Sequence, residues 1–170
     1  MKESEQRQVF KEWLGSYRGL LFKIIKAYAF TAEDRDDLFQ DICLQVYRSV
    51  VNFKGASAVS TWLYRIALNT AIKWSTREKK HVDGHHEIGL VGHALRAQEE
   101  PQDERIEWLY KEIQQLNEID RSLTLLLLDG YSYEEMAEMM GISRSNIGVK
   151  IHRIKKQLVS RSKKYDLYGV

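Results

Sequence analysis

Apolar residues recur at intervals of three and four along most of the first 80 residues, which predicts amphipathic helices. The pattern indicates one long helix over residues 5–29. A second helix is expected after Thr31, which can cap it, with Asp34 at the third helical position. A third helix, capped by Ser60 or Thr61, should continue to the end of this region.

The periodicity stops between residues 81 and 102, where turn-forming residues interrupt it at Gly84, Gly89, Gly92 and Pro101. Helical spacing resumes from about Ile106. The pattern therefore predicts an all-α chain of two small helical domains, residues 1–80 and 103–170. The flexible linker that joins them is expected at residues 81–102.

Two helices joined by a tight turn are indicated between Ser132 and Leu158. Ser132 can cap the first of them, with Glu135 completing a capping box. Gly141 can adopt the positive φ of a tight turn, and Ser143 can cap the second helix. The inward side chains are expected to be Met136, Ala137 and Met140, then Ile147, Ile151, Ile154 and Leu158. This arrangement is typical of a helix-turn-helix DNA-binding motif.

Positive charge is concentrated on the second of these helices. The whole chain has a formal charge of only +2, yet residues 141–165 contain eight Lys or Arg and no acidic residue. Such a cluster suits a DNA phosphate backbone, although a solvated basic face is the simpler alternative. The residues expected to contact duplex DNA are Ser143, Arg144, Ser145, Asn146, Val149, Lys150, Arg153 and Lys156.

Acidic residues form a stripe on the second predicted helix, because Asp34, Asp37 and Asp41 are spaced by three and four. A solvated helix face and a docking face for a basic partner are both compatible with it. A third interpretation is a catalytic divalent-cation site at Asp36, Asp37 and Asp41, for which the sequence offers no second ligand cluster.

Aromatic and basic residues occur together around the start of the third predicted helix. Trp62 lies near its first turn, and Phe53 and Lys54 lie in the preceding loop. Rings beside cations suit unpaired bases, since each base has a face to stack and each nucleotide carries a phosphate. A core position is the alternative for Trp62 and is expected for Trp74. The helix continues with a polar stripe of Arg65, Asn69, Lys73, Thr76 and Lys80.

The composition also bears on membrane insertion, on disulfide formation and on metal or cofactor binding. The N-terminus lacks the apolar core of a signal peptide, and no run reaches the roughly 18 apolar residues of a membrane span, so a cytoplasmic protein without membrane insertion is expected. The single Cys43 cannot form an internal disulfide and fits a packed thiol. Neither a metal nor a cofactor is expected, because linker composition explains His81, His85, His86 and His93.

Residues 32–55, AEDRDDLFQDICLQVYRSVVNFKG, and 60–74, STWLYRIALNTAIKW, resemble region two of bacterial sigma factors. Residues 116–158, LNEIDRSLTLLLLDGYSYEEMAEMMGISRSNIGVKIHRIKKQL, resemble region four. With both motifs in this order, the chain resembles an extracytoplasmic-function sigma factor, the compact kind of RNA polymerase sigma subunit. The resemblance implies a promoter-specificity subunit that is not itself an enzyme.

The resemblance also implies a role for each surface. The residues that would dock on the clamp helices of the largest polymerase subunit are Asp34, Asp37, Gln40 and Asp41. The melted non-template strand of the minus-ten element would be held by Asn52, Phe53, Lys54, Ser60, Thr61, Trp62, Arg65, Asn69 and Lys73. The basic helix would read the duplex minus-thirty-five element. The implied partners are core RNA polymerase, promoter DNA and an anti-sigma factor.

Three residues depart from the commonest family pattern. Asn117 stands where a proline often begins the region-four helix, and Asn146 and Gly148 give the recognition helix an unusual start. Gly148 either allows close approach to DNA or is simply tolerated, since glycine within a helix costs roughly 1 kcal/mol relative to alanine. The main rival hypothesis is a regulator that dimerises on paired half-sites, which gives the aromatic and basic helix no role.

Overall fold

The computed structural model of the chain describes residues 2–80 and 103–167. It divides the chain into two compact units, Met1–Asp103 and Glu104–Val170. All regular secondary structure in the described residues is helical, so the expected all-α class with two helical units is confirmed. The predicted linker and its histidines, His81, His85, His86 and His93, lie outside the described residues.

The first unit contains four α-helices: α1 (Glu3–Ser16), α2 (Arg18–Tyr28), α3 (Ala32–Ser49) and α4 (Val59–Lys80), with a 3₁₀ turn at Val50–Asn52. Helices α2, α3 and α4 pack against one another, and α1 lies against α3 and the 3₁₀ turn. Each fully buried aliphatic side chain contributes about 1.5–3 kcal/mol to folding. The core side chains include Leu21, Ile24, Ile25, Leu38, Ile42, Val46, Leu63, Tyr64, Ala67 and Leu68.

The single long helix expected over residues 5–29 is two helices, so this prediction was wrong. The break falls at Tyr17, whose φ of −113° leaves the helical region and whose N–H donates to the Trp13 carbonyl at 2.9 Å. Gly15, Ser16 and Gly19 surround it, and their weak helix propensity explains why the helix ends there. Apolar periodicity alone did not show this interruption.

The two remaining boundary predictions for this unit had opposite outcomes. Thr31 caps α3 as expected, its Oγ1 accepting from the Asp34 N–H at 3.0 Å. The expected cap of α4 at Ser60 or Thr61 is wrong, because α4 already begins at Val59. The Trp62 N–H donates to the Ala58 carbonyl at 3.1 Å, so the two hydroxyl residues lie inside the first turn.

The second unit contains α5 (Glu104–Gln114), α6 (Glu118–Leu128), α7 (Tyr133–Met140) and α8 (Arg144–Leu167). Helix α8 packs against both α6 and α7. Asn117 caps α6 by accepting from the Asp120 N–H at 3.0 Å. The core side chains include Ile113, Leu123, Leu125, Leu126, Met136, Ile147, Ile151 and Ile154.

Arg121 is a buried residue that the sequence reading did not single out. Its guanidinium donates at 2.8 Å to the Gln114 carbonyl and at 2.8 Å to the Leu116 carbonyl. These carbonyls end α5 and the turn after it, where a helix leaves backbone acceptors unsatisfied. Arg121 therefore joins the end of α5 to α6 from inside the core.

The helix-turn-helix is present with the predicted turn chemistry. Ser132 and Glu135 form a capping box, with bonds of 3.2 Å and 2.7 Å. Gly141 has φ +67° and ψ 30°, the left-handed conformation that ends α7. The inward face of α7 differs in part from the prediction: Met136 and Met139 are buried, whereas the expected Ala137 and Met140 are only partly buried.

Candidate nucleic-acid interface

Helix α8 has one side buried against the rest of the unit and one long exposed side. Ile147, Ile151 and Ile154 are buried against the rest of the unit, as the spacing predicted. The Oγ of Ser143 caps the helix by accepting from the Asn146 N–H at 3.3 Å. The predicted contact residues that lie on the exposed side are Arg144, Ser145, Asn146, Val149, Arg153 and Lys156. Val149 is 49% exposed, so its apolar side chain is accessible to a ligand.

His152 belongs to the same exposed face and was missed in the sequence reading. It is exposed, three residues after Val149 and four before Lys156, so helical spacing places the three side chains together. The spacing was available in the sequence.

Three of the cations on α8 are engaged within the unit. Arg144 is paired with Glu134 of α7. Lys150 lies 3.3 Å from Asp120 of α6, so it occupies the flank of the helix, not the side opposite the core. The third pair joins Arg161 to Glu112 of α5 at 2.6 Å. Such pairs hold the helix against its neighbours and reduce the charge that is free for a ligand.

The remaining cations form a free basic face. Within the part of the chain that the structure describes, the following are exposed and make no ion pair: Arg153, Lys155, Lys156, Lys163 and Lys164. Glu134 of α7, by contrast, has its charge balanced by Arg144. Its own backbone hydrogen bond, and then the Arg144 guanidinium, lower the pKa of that carboxyl. Over residues 144–165, whose side chains the structure describes, the exposed face of α8 therefore carries positive charge only.

Gly148 is partly exposed and lies beside Tyr133 of α7. A side-chain methyl at this position would lie 3.8 Å from Cε2 of Tyr133, which is ordinary van der Waals contact. The glycine is therefore not required by packing within the unit. Both interpretations of Gly148, close approach to DNA and simple tolerance, stay predictions.

In the first unit, Phe53 and Trp62 of the predicted single-strand surface form one cluster with a third aromatic residue, Trp13. We call Trp13, Phe53 and Trp62 the aromatic cluster. The centroids of Phe53 and Trp62 are 5.2 Å apart, and Trp13 lies 5.2 Å from Phe53 and 5.5 Å from Trp62. All three rings are partly exposed, in edge-to-face arrangements that favour aromatic pairs. Trp62 is therefore neither a fully buried core residue nor a fully exposed one.

The polar stripe of α4 follows this cluster along the helix. Arg65, Asn69 and Lys73 are exposed, while Leu63 and Ala67 are buried on the other side, as predicted. Ser60 and Thr61 are partly buried in the first turn, and Asn52 and Lys54 are exposed in the segment before it. The residues predicted to hold a single strand thus form a continuous partly exposed surface.

The acidic stripe of α3 is bound to α4 at two points. A carboxylate oxygen of Asp37 accepts from the Trp74 indole N–H at 2.7 Å, and Asp41 accepts from Arg77 at 2.7 Å. Trp74 is 5% exposed, so the expected core position is correct. Asp37 nevertheless remains exposed, and Asp34, Gln40 and Asp41 are partly exposed.

A polar groove of about 350 Å³ runs between α3 and α4 and brings two of the predicted surfaces together. Asn69 and Lys73, from the strand-binding stripe, line it beside Asp41 and Gln45 from the acidic stripe. The sequence had assigned these residues to separate surfaces. In the structure the two surfaces share an edge.

The described residues also bear on metal binding, on the state of the single cysteine and on membrane insertion. In residues 2–80 and 103–167, no group of three His, Cys, Asp or Glu side chains could hold a metal ion, and this includes the aspartates of α3. Cys43 is partly buried, and desolvation raises the pKa of its thiol to about 11. Among the described helices, none is long and apolar enough to cross a bilayer.

The chain matches two family models. Residues 13–81 match sigma-70 region 2, and residues 106–158 match sigma-70 region 4. The RNA polymerase sigma-H factor of Pseudomonas aeruginosa is 31% identical over 154 residues, covering 84% of this chain and 80% of that protein. The ECF RNA polymerase sigma-E factor of Haemophilus influenzae is 27% identical over 167 residues, covering 91% and 88%.

Two solved structures have a similar fold. The sigma factor RpoE of Bartonella quintana, in complex with the anti-sigma factor NepR, has a TM-score of 0.66 at 21% identity, covering 92% of this chain and 98% of that one. CnrH in complex with the cytosolic domain of CnrY has a TM-score of 0.65 at 16% identity, covering 95% and 92%.

Proposed function

The chain belongs to the extracytoplasmic-function family of RNA polymerase sigma factors, which direct core enzyme to specific promoters, and from that premise we propose how its surfaces divide the work. The second unit reads duplex DNA, and the first unit both docks on the polymerase and holds a melted strand. One observation carries this division. An exposed basic helix face lies in one unit, and aromatic rings beside a polar stripe lie in the other.

Helix α8 reads the minus-thirty-five element in the major groove. Arg153 and Lys156 are exposed and without an ion-pair partner among the described residues, so they are free to contact phosphates. Ser145 can donate to or accept from base edges, and Val149 offers an apolar surface for a thymine methyl group. The capped N-terminus at Ser143 directs the first turn of the helix toward the bases.

The aromatic cluster and the polar stripe of α4 hold the melted non-template strand of the minus-ten element. Stacking a base on an aromatic side chain contributes about 1–3 kcal/mol. That gain offsets the few kcal/mol needed to take a base out of the duplex stack. Arg65 and Lys73 supply positive charge for the phosphates, and Asn69 supplies hydrogen bonds. Binding energy, with no chemical step by this chain, thus drives strand opening.

The acidic face of α3 docks on the clamp helices of the largest polymerase subunit. Asp37 and Asp41 are held by Trp74 and Arg77, and these bonds fix the direction of the carboxylates before the polymerase arrives. Asp34 and Gln40 complete the face. Preorganised groups lose less conformational entropy on binding, which favours association.

We extend the proposal to the setting in which the protein acts. It works in the cytoplasm with core RNA polymerase and has no catalytic activity of its own. Both structural neighbours are described as complexes, RpoE with an anti-sigma factor and CnrH with the cytosolic domain of CnrY. We expect an anti-sigma partner here too, covering the acidic face and the strand-binding surface while the protein is inactive.

The proposal is tested by run-off transcription with purified core enzyme on candidate promoters. Initiation that depends on this chain is expected, and failure on every candidate promoter would reject the proposal. Asp37→Arg and Asp41→Arg should each weaken core binding about tenfold, equal to about 1.4 kcal/mol, because they place a cation against a basic partner. Glu12→Arg makes the same charge change at an exposed site on α1 and should leave core binding unaltered.

Footprinting of the free protein separates this proposal from the rival. A free protein that footprints a palindromic duplex without polymerase would favour a dimeric regulator. Core binding that is insensitive to both aspartate substitutions would remove α3 as the docking face. Circular dichroism of each variant establishes that its helices are intact.

A further inference from the structure

Trp13 occupies an unusual position for a tryptophan. It lies on α1, a helix with no fully buried residue, yet its ring contacts Phe53 and Trp62, both of which belong to the proposed strand-binding surface. It therefore does not fill the core of the unit. Its contacts are with a surface whose function depends on where two other rings lie.

One face of α1 forms a line of contacts that ends at this ring. Gln6 donates through Nε2 to the Tyr47 carbonyl at 2.7 Å, and Phe10 packs edge-on to the Tyr47 ring at 5.4 Å. Trp13 follows at the next turn, so Gln6, Phe10 and Trp13 share one side of the helix. The first two contacts fasten α1 to the end of α3. The third reaches beyond α3 to the loop.

The loop between the 3₁₀ turn and α4 has little else to fix it. Residues 54–58 are all exposed, and Gly55 has φ +72°. The backbone is bonded at the two ends, where the Phe53 N–H donates to the Val50 carbonyl at 3.2 Å and the Trp62 N–H donates to the Ala58 carbonyl at 3.1 Å. Phe53 and Trp62 stand at those same two ends.

We infer that Trp13 is a positioning residue for strand capture. Its ring supports Phe53 and Trp62 from the α1 side and holds them, with the loop between them, in a binding arrangement before DNA arrives. Without it, both side chains gain rotamer freedom that the strand must remove on binding, which weakens affinity about tenfold. The inference rests on the proposed function of Phe53 and Trp62. It adds a residue of α1 that need not touch the DNA.

The experiment uses holoenzyme assembled from core polymerase and full-length variants. The probe is a fluorescein-labelled single-stranded oligonucleotide carrying the minus-ten non-template sequence of a promoter identified by run-off transcription. Fluorescence anisotropy gives its Kd. Trp13→Ala is expected to raise that Kd about tenfold. Trp13→Phe, which keeps an aromatic edge, should restore it to within about threefold of the original.

Phe10→Ala is the matched control, because it removes the neighbouring aromatic contact of α1 and leaves both the Gln6 hydrogen bond to Tyr47 and the aromatic cluster in place. It should leave the oligonucleotide Kd unchanged. Affinity for a duplex minus-thirty-five fragment should be unchanged in all variants. Trp13→Leu, which keeps apolar bulk without a ring, replaces Trp13→Ala if the latter fails to fold, and should show the same loss.

Trp62→Ala separates the two levels of inference. If Trp62→Ala leaves the Kd unchanged, the proposed strand-binding surface is wrong. If Trp62→Ala weakens binding and Trp13→Ala does not, only the role of Trp13 is overturned. Equal losses in Trp13→Ala and Phe10→Ala would also overturn it, because they would assign the effect to α1 as a whole.

Discussion

The surface proposed to read duplex DNA and the surface proposed to hold a single strand are supported in different ways. Helix α8 is anchored by the buried Ile147, Ile151 and Ile154 and by ion pairs along its flanks. The strand-binding loop is held by half-exposed rings, one of them on a different helix. A regular duplex can be met by a rigid helix, whereas an unstacked base requires a surface open enough to admit it.

Ile151→Ala is the strongest test of this contrast. Removing a fully buried isoleucine from α8 should lower the free energy of unfolding of the second unit by about 2–5 kcal/mol. The first unit should be unaffected, because Ile151 packs within the second. Peptide-resolved hydrogen exchange measures both units in the same sample, with faster exchange expected in α6 to α8 only.

Val149→Ala is the control for Ile151→Ala. It shortens an aliphatic side chain of the same helix at a position that is 49% exposed, so stability should change by less than about 0.5 kcal/mol. Faster exchange in α2 to α4 of Ile151→Ala would contradict the independence of the two units.

Gly148→Ala should have the next largest effect, and it tests whether a more stable α8 still binds duplex DNA. Alanine is favoured over glycine within a helix by about 1 kcal/mol, and the added methyl would meet Tyr133 at ordinary contact distance. The free energy of unfolding, measured by urea denaturation, should therefore rise by about 1 kcal/mol. Minus-thirty-five affinity should be retained.

Gly141→Ala is the opposing control. Gly141 has φ +67°, a region that costs other residues about 1–2 kcal/mol, so this substitution should lower stability. A large loss of duplex affinity in Gly148→Ala would instead show that this glycine permits close approach to DNA.

Lys156→Gln should have the smallest effect and compares a free cation with a paired one. Loss of one phosphate contact should reduce the slope of log Kd against log salt by about 0.9, or about threefold in affinity over a fourfold change in salt. Lys150→Gln should reduce it less, because Lys150 is paired with Asp120. Equal changes in holoenzyme titrations would show that the ion pair opens when DNA binds.

The helix-turn-helix could be predicted almost completely from the sequence because its determinants are local. A capping serine, its partner glutamate and a turn glycine lie within a few residues of one another, and one apolar stripe sets the buried face. The ion pair of Lys150 could not be predicted in this way, since its partner Asp120 lies on another helix. Helical spacing gives the direction of a side chain but not what it meets there.

In the first unit the residue types were identifiable, but their arrangement was not. Trp13 looked like one more apolar position of a long helix, because nothing in its neighbourhood indicates contact with Phe53. The bonds from Trp74 to Asp37 and from Arg77 to Asp41 likewise join residues more than thirty positions apart. Such pairings depend on how helices pack, which periodicity does not specify.

The bonds between α3 and α4 have a thermodynamic consequence. They join the acidic face to the helix that carries the strand-binding stripe, so a ligand that displaces Asp41 from Arg77 changes the charges near Lys73. Binding equilibria linked in this way are reciprocal: the factor by which docking alters strand affinity equals the factor by which the strand alters docking. A captured strand that strengthens the binding of this chain to polymerase must itself be bound more tightly, by the same factor, once the chain has docked. Promoter opening and retention of the subunit on polymerase would then depend on the same coupling free energy.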